Sequence, residues 1–419
     1  MTGSLSPGSL VIRNAQVSGY REQVQIKVDP QGVIAAIAPM SSVLTSAEDP
    51  AIAVLDAAGD WISLGGVDVQ INGALGIAFP ELSPDSSALL PKIGQFLWDH
   101  GVDGFLPTLV TSSVESIQRS LSILADAPMV NLGEKALGEK NAPGHTPTAQ
   151  ILGVHLEGPF LNPAKRGAHP EEFLLPLTVD TVKRVLGDYV GLVKVITLAP
   201  ELDPTGTVIP YLRSLGITVS LGHSMATAAQ AKQAFSQGAT MVTHAFNAMP
   251  GLHHREPGLL GAALTTPGVS CGIIADGQHV DPVMLDLLLR IGRGSLPATS
   301  PSLDRPTAYP SGLFLVSDAL APLGLPDGLY PWDSRQIQVT DGTARLLDGT
   351  LSGTTRPLLT GAQQLVRWGL CSAGEAIALA TESPRQAIGL PGLSVGQPAT
   401  LLRWRSDDNS RTLTWERLS

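Results

Sequence analysis

The chain has 419 residues, enough to bury a large core, and one barrel with a smaller appendage accounts for that length better than three ordinary domains. Hydrophobic content of 43% against 15% charged residues belongs to a folded globular protein and excludes extended disorder. With 27 Lys and Arg against 37 Asp and Glu, the formal charge of −10 argues against nucleic acid or an anionic membrane as partner, while a local basic pocket for one phosphate stays open.

The first stretch, MTGSLSPGSLVIRNAQV, has no basic region leading into an apolar one, so no secretory signal is read and a cytoplasmic protein is expected. Residues 10–17, 23–30, 32–39 and 51–59 are β-rich runs parted by Gly, Pro and Asp turns. The middle then alternates between apolar runs and helical patterns. Strands are predicted over 61–70, 103–110, 149–157, 192–200, 216–223, 238–245, 269–276 and 312–319. Eight strands, each followed by a helix or a long loop, are the count that a (β/α)8 TIM-type barrel needs.

Between them, Ser113 precedes an apolar stripe of Val114, Ile117, Leu121 and Leu124, and Asp281 with Pro282 opens another helix. Ser372 and Glu375 form a capping box, and Ser383 with Pro384 signals one more helix. Residues 131–150 and 294–312, rich in Gly, Pro and Ser, read as surface excursions. The β-rich runs PATLLRW and TLTWERL close the chain. The expected assembly is a small β-sandwich domain built from residues 1–60 and 391–419, flanking the barrel over 61–390. No run approaches the ~20 apolar residues of a membrane span. Cys271 and Cys371 lie outside any Cys-x-x-Cys or Cys/His cluster and read as two reduced thiols.

Four residues carry chemistry. Glu157, His223, His244 and Asp318 each stand just past a short apolar run, in VHLEGP, VSLGHS, MVTHAFNAMP and FLVSDALAP. In a barrel such strand-end side chains converge on one mouth. A carboxylate and two imidazoles with an open position suit one catalytic divalent metal ion, zinc first, with iron(II) as the competitor. Asp318 beside them is the candidate general base and acid. His155, two residues before Glu157, shares its face and reads either as a residue that orients a ligand or water, or as a packed histidine.

The motifs VDVQINGALG, LPTLVTSS, GVHLEGPFLNPAKRGAHP, TLAPE, VSLGHSMAT, THAFNAMPGLHHREPGLLGA, IIADGQHVD, LVSDALAP and LSGTT occur in that order. In this the chain resembles the N-acetylglucosamine-6-phosphate deacetylases of the amidohydrolase superfamily over about residues 61–390. The resemblance implies metal-dependent release of acetate from N-acetyl-D-glucosamine 6-phosphate, in amino-sugar catabolism or cell-wall recycling. It makes Glu157, His223 and His244 the metal ligands and Asp318 the acid/base. Asn247, the backbone of Ala248 and Arg255 then match the sugar-phosphate contacts; His279 matches a contact to the sugar hydroxyls and His169 another substrate contact. It also implies a homodimer, because the family's phosphate pocket can draw on a neighbouring subunit.

The wider superfamily carries a His-x-His pair at the first strand, whereas this chain has Gln70 and Asn72. Amides are poor zinc ligands, so one tightly held metal is expected rather than two. That same difference, with no lysine ending a candidate strand, weighs against a dihydroorotase or a nucleobase deaminase. A deacetylase of the galactosamine epimer, another amidohydrolase acting on a cyclic amide, and a non-catalytic binding protein are the remaining alternatives.

Overall fold

The computed structural model describes residues 9–42, 52–132, 147–294 and 312–418. Most of the two expected surface excursions, 133–146 and 295–311, lies outside the described residues. Eight parallel strands form the barrel: Gly66–Ile71, Val102–Val110, Val154–Glu157, Val193–Leu198, Thr218–Leu221, Met241–Val242, Ser270–Ile273 and Leu313–Leu315. Neighbours pair in chain order, from Val67 opposite Gly104 to Gly272 opposite Phe314. A parallel bridge between Ile71 and Ala319 brings the eighth strand back to the first.

The run expected as one strand over 61–70 is two. Trp61–Leu64 pairs with the chain-terminal strand Leu401–Asp407, and only Gly66–Ile71 enters the barrel. The break falls at Gly65, where a Cβ would sit 2.1 Å from Asp103 Oδ1, too close for any other residue. Trp61–Leu64 thus belongs to a seven-stranded sheet that both chain ends build, continuous through Ser9–Val17. Its core joins Ile12, Ile26, Ile34, Ile62 and Leu401.

The amphipathic helices pack on the outside of the barrel as their spacing dictates. Val114–Ala125 is capped by Ser113, which accepts from Ser116 N at 3.1 Å, and buries Ile117, Leu121 and Leu124. Pro282–Gly294 and Ala373–Ala380 begin as expected, the latter with the full Ser372–Glu375 box. Glu382–Ala387 starts earlier than the Ser383–Pro384 signal suggests, because the preceding helix turns directly into it at Thr381.

The sheet and the barrel floor meet at a buried ion cluster. Asp103 accepts from Gly65 N at 2.8 Å, Thr400 Oγ1 at 2.9 Å, Arg385 Nη2 at 3.1 Å and Arg417 Nη1 at 2.8 Å. Arg385, fully buried, also donates to the carbonyls of Gly65 and Thr381. Opposite, over the mouth, lies an antiparallel sheet that the sequence reading did not anticipate: Gly328–Trp332, Arg335–Thr340, Thr343–Leu346 and Leu351–Thr354. Its signal was present. Asp341-Gly342, both at positive φ, is a two-residue turn between alternating apolar and polar positions.

Candidate active site

Glu157 ends the third barrel strand, His223 and His244 lie two residues past the fifth and sixth, and Asp318 lies three past the eighth. Three of these take left-handed backbone, with φ of 48° at His223, 27° at His244 and 47° at Asp318. Such conformations cost about 1–3 kcal/mol each and persist only where neighbours hold them. At His223 the holders are visible. Glu201 accepts from Met225 N at 2.6 Å, Ser224 Oγ at 2.7 Å and Asn162 Nδ2 at 2.9 Å, which ties the loops after three strands together. His223 Nδ1 donates to the Lys165 carbonyl at 2.8 Å, which leaves its Nε2 as the ligand atom.

The Nε2 atoms of His223 and His244 are 3.0 Å apart and lie 3.2 and 3.0 Å from Glu157 Oε1. Ligand bonds of about 2.0–2.2 Å in a tetrahedron would put neighbouring donor atoms roughly 3.3 Å apart, so the three residues fit around a metal ion. Burial pushes the Glu157 carboxyl up, but the close approach of the His223 and His244 imidazoles outweighs it and holds the group well below the usual range. A buried, ionised carboxylate facing two imidazole nitrogens is an arrangement that a cation completes.

The first strand serves the carboxylates. Gln70 Nε2 donates to Glu157 Oε1 at 3.2 Å and to Asp318 Oδ1 at 3.3 Å, and Asn72 Nδ2 donates to Asp318 Oδ1 at 2.8 Å. Burial, then the Glu157 charge, raises the Asp318 carboxyl to about 6. The LSGTT segment fixes its backbone: Thr354 N donates to the Asp318 carbonyl at 3.1 Å. At Gly353, φ +151°, a Cβ would stand 2.7 Å from that same carbonyl oxygen.

His155 is buried and hydrogen-bonded through both ring nitrogens. Its ring bonds the Val69 carbonyl at 3.0 Å and Thr197 Oγ1 at 2.7 Å, a chain continued through Thr243 to Ser220. Burial lowers it to about 4, so it stays neutral.

A cavity of about 470 Å³ opens above the four strand-end residues and is lined by Asn72, His169, Asn247, Ala248 and His279 as well. His169 Nδ1 accepts from Thr111 N at 3.3 Å, which places its proton on Nε2. Burial, then neighbouring His223, depresses His169 to about 3. His279 donates Nδ1–H to Asp276 Oδ2 at 2.7 Å. Asn247 Nδ2 is turned onto the carbonyls of His244 and Ala245. Arg255 is not among the lining residues; with His253 and His254 it lies exposed on the 251–257 loop.

The sequence reading missed Arg119, the one Lys or Arg in the lining among the described residues, and Trp332 and Asp333 from the overlying sheet. It also missed Asp276 and Glu201. Asp276 had a signal, an acid three residues before His279 in ADGQH. Glu201 stood inside TLAPE without a partner that sequence spacing could reveal.

No protein-family model matches the chain. It is 37% identical over 345 residues to N-acetylglucosamine-6-phosphate deacetylase from Bos taurus, covering 80% of this chain and 76% of that one. It is 29% identical over 375 residues to N-acetylgalactosamine-6-phosphate deacetylase from Escherichia coli O157:H7, covering 90% and 88%. Among solved structures, N-acetylglucosamine-6-phosphate deacetylase from Pasteurella multocida superposes with a TM-score of 0.76 at 27% identity, over 98% of this chain and 100% of that one.

Proposed function

The chain belongs to the N-acetylglucosamine-6-phosphate deacetylases of the amidohydrolase superfamily, and from that premise we propose how its barrel mouth converts N-acetyl-D-glucosamine 6-phosphate to D-glucosamine 6-phosphate and acetate. One observation carries the reading: a carboxylate and two imidazoles meet within 3.2 Å of one another, next to a second carboxylate, at the base of a cavity large enough for a sugar phosphate.

Glu157, His223 and His244 would hold one divalent cation, zinc by its donor set with iron(II) as competitor. Bound there, the cation supplies Lewis-acid polarisation of the acetamide carbonyl and acidifies the attacking water. Asp318 takes a proton from that water as its oxygen bonds to the acetyl carbon and the carbonyl π pair moves onto oxygen. We assign His169, neutral and with its proton on Nε2, as a donor to the developing oxyanion. As the tetrahedral adduct collapses, the C–N bonding pair goes to nitrogen, which takes the proton from Asp318. Acetic acid then loses its remaining proton to solvent.

Asn247, the Ala248 backbone and His279 are assigned to the sugar phosphate, remote contacts that orient the acetamide. Because Arg255 of the same chain does not line the cavity, we assign the phosphate clamp to Arg255 of a second copy in a homodimer. The galactosamine epimer remains the second reading, favoured by the relative that acts on N-acetylgalactosamine 6-phosphate. We place the reaction in the cytoplasm on the two free thiols; no described helix is long and apolar enough to cross a membrane.

Acetate release by metal-loaded protein from both epimeric N-acetyl sugar phosphates, with metal content measured alongside, tests the assignment. Protein that holds one metal per chain and frees acetate from neither would be a binding protein, not this enzyme.

A further inference from the structure

Asn72 is 3% exposed, yet it lines the cavity. Its backbone is spent: N–H donates to the Ala319 carbonyl at 2.7 Å, and its carbonyl accepts from Phe79 N at 2.9 Å. Its side chain is fixed by Asp318. An ionised carboxylate only accepts, so the NH2 end must face Asp318 Oδ1, 2.8 Å away, and the amide oxygen must face elsewhere. That oxygen, buried, has no partner among the described residues. A buried acceptor left without a donor is costly, and a site built for a ligand recovers that cost when the ligand arrives.

Resting on the deacetylase reading, we propose that Asn72 Oδ1 is the acceptor for the N–H of the scissile acetamide and for the ammonium it becomes. The donor must lie beside Asp318, because Asp318 delivers its proton to that nitrogen, and Asn72 is bonded to the same carboxylate. Among the described residues, the side-chain hydrogen bonds to Asp318 end on Oδ1, so Oδ2 is the oxygen left to carry the proton. Asn72 transfers nothing itself. As the C–N bond breaks, the nitrogen gains a proton and then positive charge, so its hydrogen bond to Oδ1 strengthens along the reaction. Gln70 has a different part. It bridges Glu157 and Asp318 through Nε2 but does not line the cavity, and acts as a tether.

The test compares the natural amide with its oxygen ester, 2-O-acetylglucose 6-phosphate, which has no N–H to donate. In Asn72→Ala and the shape-matched Asn72→Leu, with metal content confirmed, kcat/KM on the amide should fall on the order of 10- to 100-fold further than on the ester. Gln70→Leu should slow both substrates alike. Calorimetry supplies a reading without turnover: wild-type protein should bind glucosamine 6-phosphate more tightly than glucose 6-phosphate, and the Asn72 variants should lose that preference. Equal losses on amide and ester, or no preference for the amine in the wild type, would overturn the proposal. Wild-type protein that releases no acetate from the amide would instead remove the deacetylase reading beneath it.

Discussion

Asp318 combines two demands that its surroundings reconcile. In the proposed reaction it must be ionised to accept a proton from water, yet basic enough to take one, and burial with the Glu157 charge lifts it towards that range. Asp318→Asn can still present an oxygen to the Gln70 and Asn72 amides, so metal content and substrate affinity should survive. Turnover should fall by about 10²- to 10⁴-fold, read as kcat from acetate release with metal analysis of the same samples. Unchanged turnover would take the acid/base role from Asp318. A protonated carboxyl cannot accept water's proton, so kcat/KM should decline as pH drops through its pKa. Burial sets that pKa at about 6, and a cation alongside pulls it lower. The acid limb should therefore have its midpoint at or below about pH 6, and a pH–rate profile breaking well above that would implicate another group. The residue types were legible in the sequence because metal and acid/base chemistry admit few side chains. Their helpers were less so: Asp276 left a trace in its spacing from His279, whereas Glu201 acts through contacts that spacing along the chain does not encode.

Two elements set those residues in place from above and below. Over the mouth, the strand Leu351–Thr354 grips the Asp318 backbone, and only a glycine at position 353 permits the approach. Gly353→Ala should cost about 1–3 kcal/mol of stability and lower kcat more than it raises KM, measured by denaturant unfolding and steady-state kinetics. An alanine variant with native kcat would show that the backbone grip is dispensable. On the floor, Asp103 pairs with two guanidiniums, one of them fully buried. Asp103→Ala strands Arg385 without its counter-charge and should destabilise the fold by about 3–5 kcal/mol in a denaturant titration. A shift below about 1 kcal/mol would mean that the cluster is incidental. The helices and strands themselves were readable from periodicity and caps. The overlying sheet was not recognised, although its Asp-Gly turns and alternation were there to be read. The split at Gly65 was hidden because two adjacent strands run on as one apolar stretch.

At the scale of the whole molecule, the cavity in a single chain is lined by one Lys or Arg among the described residues, Arg119, while Arg255 stands exposed on its loop. If Arg255 clamps phosphate across a two-fold dimer, co-expressed Asp318→Asn and Arg255→Ala chains should complement each other. Half the dimers are then mixed, and each mixed dimer has one site with both residues intact, so about a quarter of wild-type activity should return. No recovery in mixtures confirmed as dimers would place the clamp within one chain, with Arg119 the residue to test next through the KM for phosphorylated and unphosphorylated sugar.

The sequence by itself determined the barrel, from eight apolar runs between helical patterns, and the four strand-end residues, because alternation and donor chemistry are local properties. It also marked Gln70 and Asn72 as the departure from a His-x-His pair. What those amides do was decided only by the closed barrel, which sets the first strand against the third and the eighth and turns two neutral side chains into donors for two buried carboxylates. Residues 72 and 318 are distant along the chain; only folding gives them a shared hydrogen bond, and only the dry interior makes the oxygen left over in Asn72 costly enough to mean something.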